Sequence, residues 1–305
     1  MTVRARPLRA GDLVAIVAPA GGIKAAERVA GAEETLAGWG LKVRVGPHAL
    51  GRHSFFSGTD DERLADLNEA FRDPEVRGIV CLRGGYGVQR IVDRIDYAAV
   101  AADPKLVMGF SDITALHLAL WCEVGLATVH GPMASYLERG ADGARRALML
   151  DEPVVVRAEP GFRVPGRAEG VLLGGNLTLL AASAGTRHTP DMSGAILLVE
   201  EVDEEPYRID RAIVQLGRAG WLDGLAGVAI GQFIDCVDPG HATSAGEVLA
   251  ERFGALGVPV LGSLPIGHGE SQTAVGLGVP AVLDVERGTL TVGPAHSGAG
   301  RVGVG

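Results

Sequence analysis

A serine stands where a strand-like run gives way to a helix-like run, a position suited to a nucleophile. Residues 105–109 are largely apolar and predict a buried strand, and residues 113–120 have the spacing of a buried helix. The predicted turn resembles a nucleophile elbow, from which we expect an exposed Ser111 hydroxyl and an Asp112 N–H that helps to bind an oxyanion. The hydrolase pattern G-x-S-x-G is incomplete, because Ile113 replaces its second glycine. An ordinary helix cap at this position therefore stays open.

A serine hydroxyl needs a general base, and the chain has eight histidines. His268 follows a predicted strand and lies between two glycines, which let a backbone or a substrate approach closely. His130, at the end of another predicted strand, is its rival. His117 falls within a predicted helix, and the other five lie in polar loops where solvated side chains are expected: His48, His53, His188, His241 and His296. The placement of His268 favours a functional role, with a hydrogen-bonded loop histidine as the alternative.

The base in turn needs an acid to orient it, and a carboxylate directly after a strand suits that task. Glu200 follows the apolar run 196–199. Glu201 opens an acidic stretch before Pro206, and the ordinary explanation of that stretch is a solvated loop that leads into a helix start. Glu200 is the favoured acid because it is next to the strand, and Glu201 is the rival.

The first 150 residues alternate between strand-like and helix-like segments. Thr59 opens a capping box that predicts the start of one helix. Such alternation predicts a parallel sheet flanked by helices. The predicted strands lie at residues 13–18, 41–45, 78–82, 105–109 and 127–130.

The pattern changes after residue 150. Residues 151–169 contain three prolines and predict a linker. The strands predicted beyond it are short and close together, which favours a mixed α/β, barrel-like second domain. We therefore expect an N-terminal α/β domain at 1–150 that carries the nucleophile and a C-terminal domain at 170–305 that carries the acid and the base.

Composition narrows the functional classes. The 305 residues, 47% hydrophobic and 21% charged, suffice for two well-filled domains. A net charge of −9, with no basic run longer than two, argues against a nucleic-acid partner. Without an 18-residue apolar run or the apolar core of a signal peptide, we expect no membrane partner. Three widely spaced cysteines, Cys81, Cys122 and Cys236, predict reduced thiols in a cytoplasmic protein.

Two further motifs point to other chemistry, but both are incomplete. Residues 84–87 follow a predicted strand as a dinucleotide-binding loop does, yet the third glycine and the closing acid are missing. Asp235, Cys236, Asp238 and His241 lie close together in the sequence, but their spacing matches no metal-binding pattern. We therefore expect neither a metal nor a cofactor.

Together, these motifs resemble those of the LD-carboxypeptidase family of serine peptidases, which also contains microcin C immunity peptidases. The matching segments occur in the family's order and cover nearly the whole chain. They are the glycine loop at 83–87, the serine turn at 109–114, the glycines at 174–175, the acidic strand end and helix start at 198–211, and the histidine loop at 267–269.

The resemblance implies a Ser–Glu–His triad. It makes Ser111 the nucleophile, His268 the general base and then acid, and Glu200 the residue that orients and stabilises the imidazole. The N–H groups of Asp112 and Gly85 are implied as the oxyanion hole. The choice between the two neighbouring glutamates stays open.

The implied reaction is hydrolysis of the L,D-amide bond to a C-terminal D-amino acid in murein tetrapeptides, during peptidoglycan recycling. The implied protein is a cytoplasmic homodimer. One alternative is a microcin C-type immunity peptidase that cleaves peptidyl or aminoacyl nucleotide conjugates. An alternative of another class is a non-enzymatic wall-peptide binding protein, which is expected where a triad residue is missing.

Overall fold

The structure, a computed structural model, describes residues 2–23, 27–240 and 242–297. Two β-sheets organise these residues, and helices lie between the strands along the chain. The predicted fold is confirmed: an α/β part with a largely parallel sheet is followed by a mixed, half-barrel α/β part. No helix among the described residues is long and apolar enough to span a membrane.

The first sheet has six strands, five of them parallel. They are β1 (Leu13–Val17), β2 (Lys42–Val45), β3 (Val76–Cys81), β4 (Leu106–Gly109), β5 (Thr128–His130) and β12 (Val275–Leu277). Their order is β12-β5-β4-β3-β1-β2, with β12 antiparallel to β5. The loops after the five parallel strands therefore meet at one edge of the sheet, where α/β proteins bind ligands. The accompanying helices are α1 (Glu27–Gly38), α2 (Asp60–Arg72), α3 (Tyr97–Ala102), α4 (Thr114–Val124) and α5 (Ala141–Met149).

The second sheet has eight strands in the order β6-β14-β13-β8-β9-β10-β11-β7. Strands β8 to β11 run parallel to one another, and the remaining pairs are antiparallel. The strands are β6 (Val154–Arg157), β7 (Arg163–Val164), β8 (Arg167–Asn176), β9 (Ile196–Val202), β10 (Gly227–Ile234), β11 (Val260–Leu261), β13 (Val279–Asp284) and β14 (Thr289–Val292). The helices here are α6 (Leu177–Ser183), α7 (Pro206–Arg218) and α8 (Ala245–Gly254).

Two segments tie the sheets together. Residues 151–169, which the sequence analysis assigns to a linker, contain β6, β7 and the start of β8 and so contribute to the second sheet. Strand β12, far along the chain, joins the edge of the first sheet. The division into domains at residues 150 and 170 stays a prediction.

Local sequence explains where the elements near the site begin. The Thr59 side chain accepts a hydrogen bond from the Glu62 N–H, and Glu62 Oε2 accepts one from the Thr59 N–H, so the predicted capping box starts α2. Asn176 caps α6 in a similar way, through the Leu179 N–H. Helix α4 is buried on all sides over its first two turns, residues 114–120, and most of its side chains there are apolar, as expected of a core helix.

Candidate active site

Ser111 lies on a strained turn at the carboxyl end of β4. Its φ of +59° is in the left-handed region, which a residue with a side chain adopts at a cost of about 1–3 kcal/mol. The turn continues as a short 3₁₀ segment into α4. This is the strand-turn-helix geometry expected of a nucleophile elbow. An ordinary helix cap does not describe this serine, because the N-cap residues of the 3₁₀ segment and of α4 are Phe110 and Ile113, and neither makes a side-chain capping hydrogen bond.

A buried carboxylate holds the turn against the neighbouring glycine loop. Asp112 Oδ2 accepts a hydrogen bond of 2.9 Å from the Val88 N–H, and burial raises the pKa of this carboxyl to about 6. Gly84 allows the loop to lie against Ser111, because an added Cβ would be 2.9 Å from Ser111 Cβ and 3.0 Å from its Oγ. The motif predicted a role for Gly85, whereas the role of Gly84 in the same motif is visible only from this contact in the folded chain.

The two backbone donors expected of an oxyanion hole lie on these segments. Within the described residues, neither the Gly85 N–H nor the Asp112 N–H has a hydrogen-bond acceptor. Gly85 has a φ of +103°, which favours glycine. Both N–H groups are therefore free to bind an anion, and their joint role stays a prediction.

Glu200 and His268 form a close pair. His268 Nδ1 lies 2.6 Å from Glu200 Oε2, and the Glu200 side chain is fully buried. Burial raises the pKa of Glu200, while the hydrogen bond from His268 opposes that shift. Gly267, with a φ of +131°, permits the approach, because an added Cβ would lie 2.8 Å from Glu200 Oε2. The pair is arranged as a carboxylate that orients an imidazole.

Glu201 faces the other way, as alternate residues of a strand do. Its Oε1 accepts a hydrogen bond of 2.6 Å from Asn176 Nδ2, and its Oε2 accepts one of 2.8 Å from the Thr178 N–H. Glu201 thus binds the start of α6. Of the two neighbouring glutamates, Glu200 is the one that contacts His268.

The histidine loop is fixed on both sides. Gln232 Oε1 accepts a hydrogen bond of 2.8 Å from the Gly269 N–H, directly after His268. On the other side the ring of Phe110 lies 4.6 Å from the His268 ring, centroid to centroid. Because Phe110 immediately precedes Ser111, this contact brings the histidine beside the Ser111 turn. Sequence reasoning missed Gln232 and Phe110, since only the folded chain brings them together with His268.

The rival histidines are buried and uncharged. Burial lowers the pKa of His130 to about 3 and that of His117 to about 4. His117 Nε2 donates a hydrogen bond to the Gly109 carbonyl at 2.9 Å, whereas the ring nitrogens of His130 have no hydrogen-bond partner among the described residues. The expectation of solvated side chains is wrong for His188 and His296, which are also buried. His188 Nε2 lies 3.3 Å from Glu123 Oε1 of α4, and His296 pairs with Ala5 near the start of the chain. His241 lies outside the described residues.

The remaining motifs bring no other chemistry together. Across residues 2–23, 27–240 and 242–297, no group of three His, Cys, Asp or Glu side chains could hold a metal ion. Cys236, one of the four neighbouring residues considered as metal ligands in the sequence, is a buried free thiol. Cys81 and Cys122 are free as well, and burial raises the pKa of Cys81 to about 12.

The two-sheet α/β fold and the strained serine beside a carboxylate-bound histidine are typical of hydrolases. Models of the N-terminal and C-terminal domains of the LD-carboxypeptidases match residues 14–131 and 169–283. The chain belongs to this family of carboxypeptidases.

Individual relatives cover nearly the whole chain. A Streptomyces coelicolor protein, provisionally named a carboxypeptidase, is 47% identical, with 95% of this chain and 96% of that protein covered. The murein tetrapeptide carboxypeptidase of Pseudomonas aeruginosa is 35% identical, with 90% and 94% covered.

Solved structures agree with this assignment. The muramoyltetrapeptide carboxypeptidase of Oxalobacter formigenes superposes with a TM-score of 0.83 at 30% identity, over 93% of this chain and 100% of that one. A microcin C7 self immunity protein superposes with a TM-score of 0.88, over 96% and 99%. At 22% identity, this second likeness concerns the fold alone.

Proposed function

We propose that this carboxypeptidase hydrolyses the amide bond between an L-centre and a C-terminal D-amino acid in murein tetrapeptides, using Ser111, His268 and Glu200 as a triad. The observation that carries the proposal is the 2.6 Å pair of Glu200 and His268, packed through Phe110 against the strained Ser111 turn. The substrate class follows from the relatives named murein tetrapeptide and muramoyltetrapeptide carboxypeptidase.

The proposed mechanism assigns one task to each group. His268 accepts the Ser111 proton as the Oγ attacks the scissile carbonyl, and Glu200 stabilises the imidazolium that forms. The N–H groups of Gly85 and Asp112 bind the developing oxyanion. His268 then gives its proton to the leaving amine of the D-amino acid. A water molecule, activated by the same histidine, hydrolyses the acyl-enzyme.

The stereochemistry of the substrate tests the reaction class. Inverting the terminal D-alanine exchanges the positions of its methyl group and its hydrogen. If the terminal carboxylate stays in its binding position, the scissile carbonyl then moves away from the N–H groups that bind it. A misplacement on the order of 1 Å can lower the rate about 100-fold. We therefore expect kcat/KM for the tetrapeptide ending in D-alanine to exceed that of the L-alanine epimer by at least about 100-fold, or roughly 2.7 kcal/mol.

Two further substrates and one binding measurement complete the assay. The pentapeptide should be spared, because its last bond joins two D-residues. Ready trimming of the pentapeptide, or equal rates on the two tetrapeptide epimers, contradicts the proposal. Faster cleavage of a microcin-type nucleotide conjugate instead favours the immunity-peptidase alternative. Binding of the tetrapeptide without release of alanine favours the non-enzymatic one.

We also propose that the protein acts in the cytoplasm, in peptidoglycan recycling, and as a homodimer. The three free thiols support a reducing compartment. The family resemblance supports the dimer, and sedimentation velocity at micromolar concentration tests it. A single monomeric species would contradict that part of the proposal.

A further inference from the structure

A cleft of about 470 Å³ opens beside the nucleophile turn, on the carboxyl edge of the first sheet. Its walls come from the loops that follow β1, β2 and β3. Because β3 lies between β4 and β1 in the sheet, the cleft begins one strand away from Ser111, a distance of roughly 5 Å. Gly85, a proposed oxyanion donor, is part of its wall. We call this feature the arginine cleft, after Arg52 and Arg83, which line it.

Hydrogen bonds and ring contacts hold the walls in place. The Gly21 N–H donates to the Gly84 carbonyl at 2.9 Å, which joins the loops after β1 and β3. Arg83 Nη1 donates to the Gly22 carbonyl, so one edge of its guanidinium is anchored. The buried ring of Phe56 lies 5.6 Å from the ring of Tyr86, centroid to centroid. Contacts between loops therefore hold the walls of the cleft in place.

The charge of the cleft is opposite to that of the whole chain. The protein carries a net charge of −9, yet Arg52 and Arg83 line the cleft and none of its described lining residues is acidic. Neither arginine forms an ion pair with any described carboxylate. A guanidinium presents several donors in a plane that matches a carboxylate. The cleft is therefore suited to an anionic group.

The position of His268 indicates which part of the peptide the cleft receives. The Phe110 ring contacts both His268 and His130, and His130 ends β5, so the histidine lies on the β5 side of Ser111. The arginine cleft lies on the opposite side, towards β3 and β1. Since the histidine protonates the leaving amine, the single released residue belongs on the β5 side. The acyl portion then extends into the cleft.

The size of the cleft agrees with this direction. A carboxypeptidase releases one residue, for which a small pocket suffices, whereas the acyl portion of a tetrapeptide spans three residues. The exposed rings of Phe55 and Tyr86, 76% and 52% accessible, provide apolar surface along the cleft for such a chain. The acyl portion of a murein peptide also carries free carboxylates, one on its side-chain-linked glutamyl residue and one on the side chain of the diamino acid.

Building on the proposed function, we propose that Arg52 and Arg83 bind a free carboxylate of the acyl portion and so select peptides that carry it over their carboxamides. Arg83, which is anchored beside Gly85, donates to one side of the carboxylate. Arg52 donates to it from the loop after β2. The two arginines are binding residues for the substrate. They take no part in the proton transfers.

Turnover of amidated peptides tests the selection. Two carboxamides are compared with the free acid: one amidated at the glutamyl residue and one at the diamino acid. We expect one of these two amidations to lower kcat/KM of the wild-type enzyme by about 10- to 100-fold. In the double variant Arg52→Gln/Arg83→Gln, kcat/KM for the free acid should fall by a similar factor. Its kcat/KM for the carboxamide that the wild type disfavours should stay almost the same as in the wild type. Arg83→Lys should recover part of the loss, because it keeps the charge. Arg218→Gln, at the end of α7 and outside the cleft, is the matched control.

Several outcomes overturn the inference. Equal losses on the acid and on both carboxamides would mean that Arg83 acts only by supporting the Gly22 loop. A wild-type enzyme indifferent to both amidations would mean that the cleft does not bind a carboxylate. Calorimetry with the tripeptide product separates this inference from the proposed function. If no alanine is released but the tripeptide acid binds more tightly than its amide, and only when both arginines are present, the proposed function fails and the arginine cleft stands.

Discussion

Replacing Glu200 by glutamine tests the proposed orienting acid most directly. Its carboxylate is fully buried, with Oε2 2.6 Å from His268 Nδ1. Unit charges at that separation attract by roughly 6 kcal/mol at an effective dielectric constant of about 20. An amide retains the shape but loses the stabilisation of the imidazolium, as an amide does at the same position of other serine triads, where kcat falls about 10⁴-fold. We expect kcat/KM to fall by about 10³- to 10⁴-fold.

Glu201→Gln is the matched control, because it makes the same chemical change one residue further along β9. Glu201 accepts hydrogen bonds from Asn176 and from the Thr178 N–H at the start of α6. Its neutral replacement removes a favourable charge at a helix N-terminus and weakens two charge-assisted bonds. We expect the free energy of unfolding to fall by about 1–3 kcal/mol, with kcat/KM of the folded enzyme nearly unchanged.

The assay separates activity from stability. Release of D-alanine from a murein tetrapeptide gives kcat and KM for each variant, and urea unfolding followed by circular dichroism gives its stability. Reversed effects, with Glu201→Gln inactive and Glu200→Gln active, would refute the assignment of the acid. A Glu200→Gln enzyme that is both fully folded and fully active would refute the triad itself.

Three further predictions concern the proposed mechanism and its supporting carboxylate. Ser111→Ala and His268→Ala should each abolish most turnover, and the double variant should be little worse than either; additive losses in kcat would count against a joint role. Chelators should leave activity unchanged, because a serine nucleophile with a histidine base needs no metal; loss in EDTA that zinc restores would overturn the serine mechanism. Burial raises the pKa of Asp112 from 3.8 to about 6, so the folded state binds the proton more tightly than the unfolded state and stability falls as pH rises between those values. Asp112→Asn should therefore be more stable than wild type at pH 7, by up to about 3 kcal/mol, and as stable near pH 4; urea unfolding at both pH values checks this, and a less stable variant at pH 7 would contradict it.

The strand, turn and helix around Ser111 could be predicted because each depends on local spacing. The apolar run became β4, and the helical spacing became α4. The positive φ of Ser111 could not be predicted, since a strained backbone persists only when its surroundings enforce it. Those surroundings are the Asp112 bond to Val88 and the contact with Gly84, which come from a loop about 25 residues earlier.

Alternation along a strand predicts that Glu200 and Glu201 face opposite sides, but not which one meets the histidine. That depends on how the loop after β11 folds back over the end of β9, and on the two glycines that let it do so, Gly231 and Gly267. For the same reason, the polar sequence around His188 and His296 did not predict that these side chains are buried. Their loops look solvated in sequence, yet tertiary packing covers both side chains.

The segments between the two halves of the chain were the hardest to predict. Strands β6 and β7 have four and two residues and lie at the edges of the second sheet, and three prolines interrupt their region. Such a pattern is locally the same as that of a linker. Strand β12 has three residues and pairs with β5, about 145 positions earlier, so no local signal announces it.

That short pairing explains how one site is assembled from two sheets. The histidine loop lies between β11 in the second sheet and β12 in the first, so it must cross from one to the other over the end of β4. Val275 of β12 pairs with His130, whose ring contacts Phe110, and Phe110 in turn contacts His268. A charged His130 would repel an imidazolium at His268, and burial prevents this by holding the pKa of His130 near 3. The crossing therefore fixes the position of the proposed base and also keeps a second positive charge away from it.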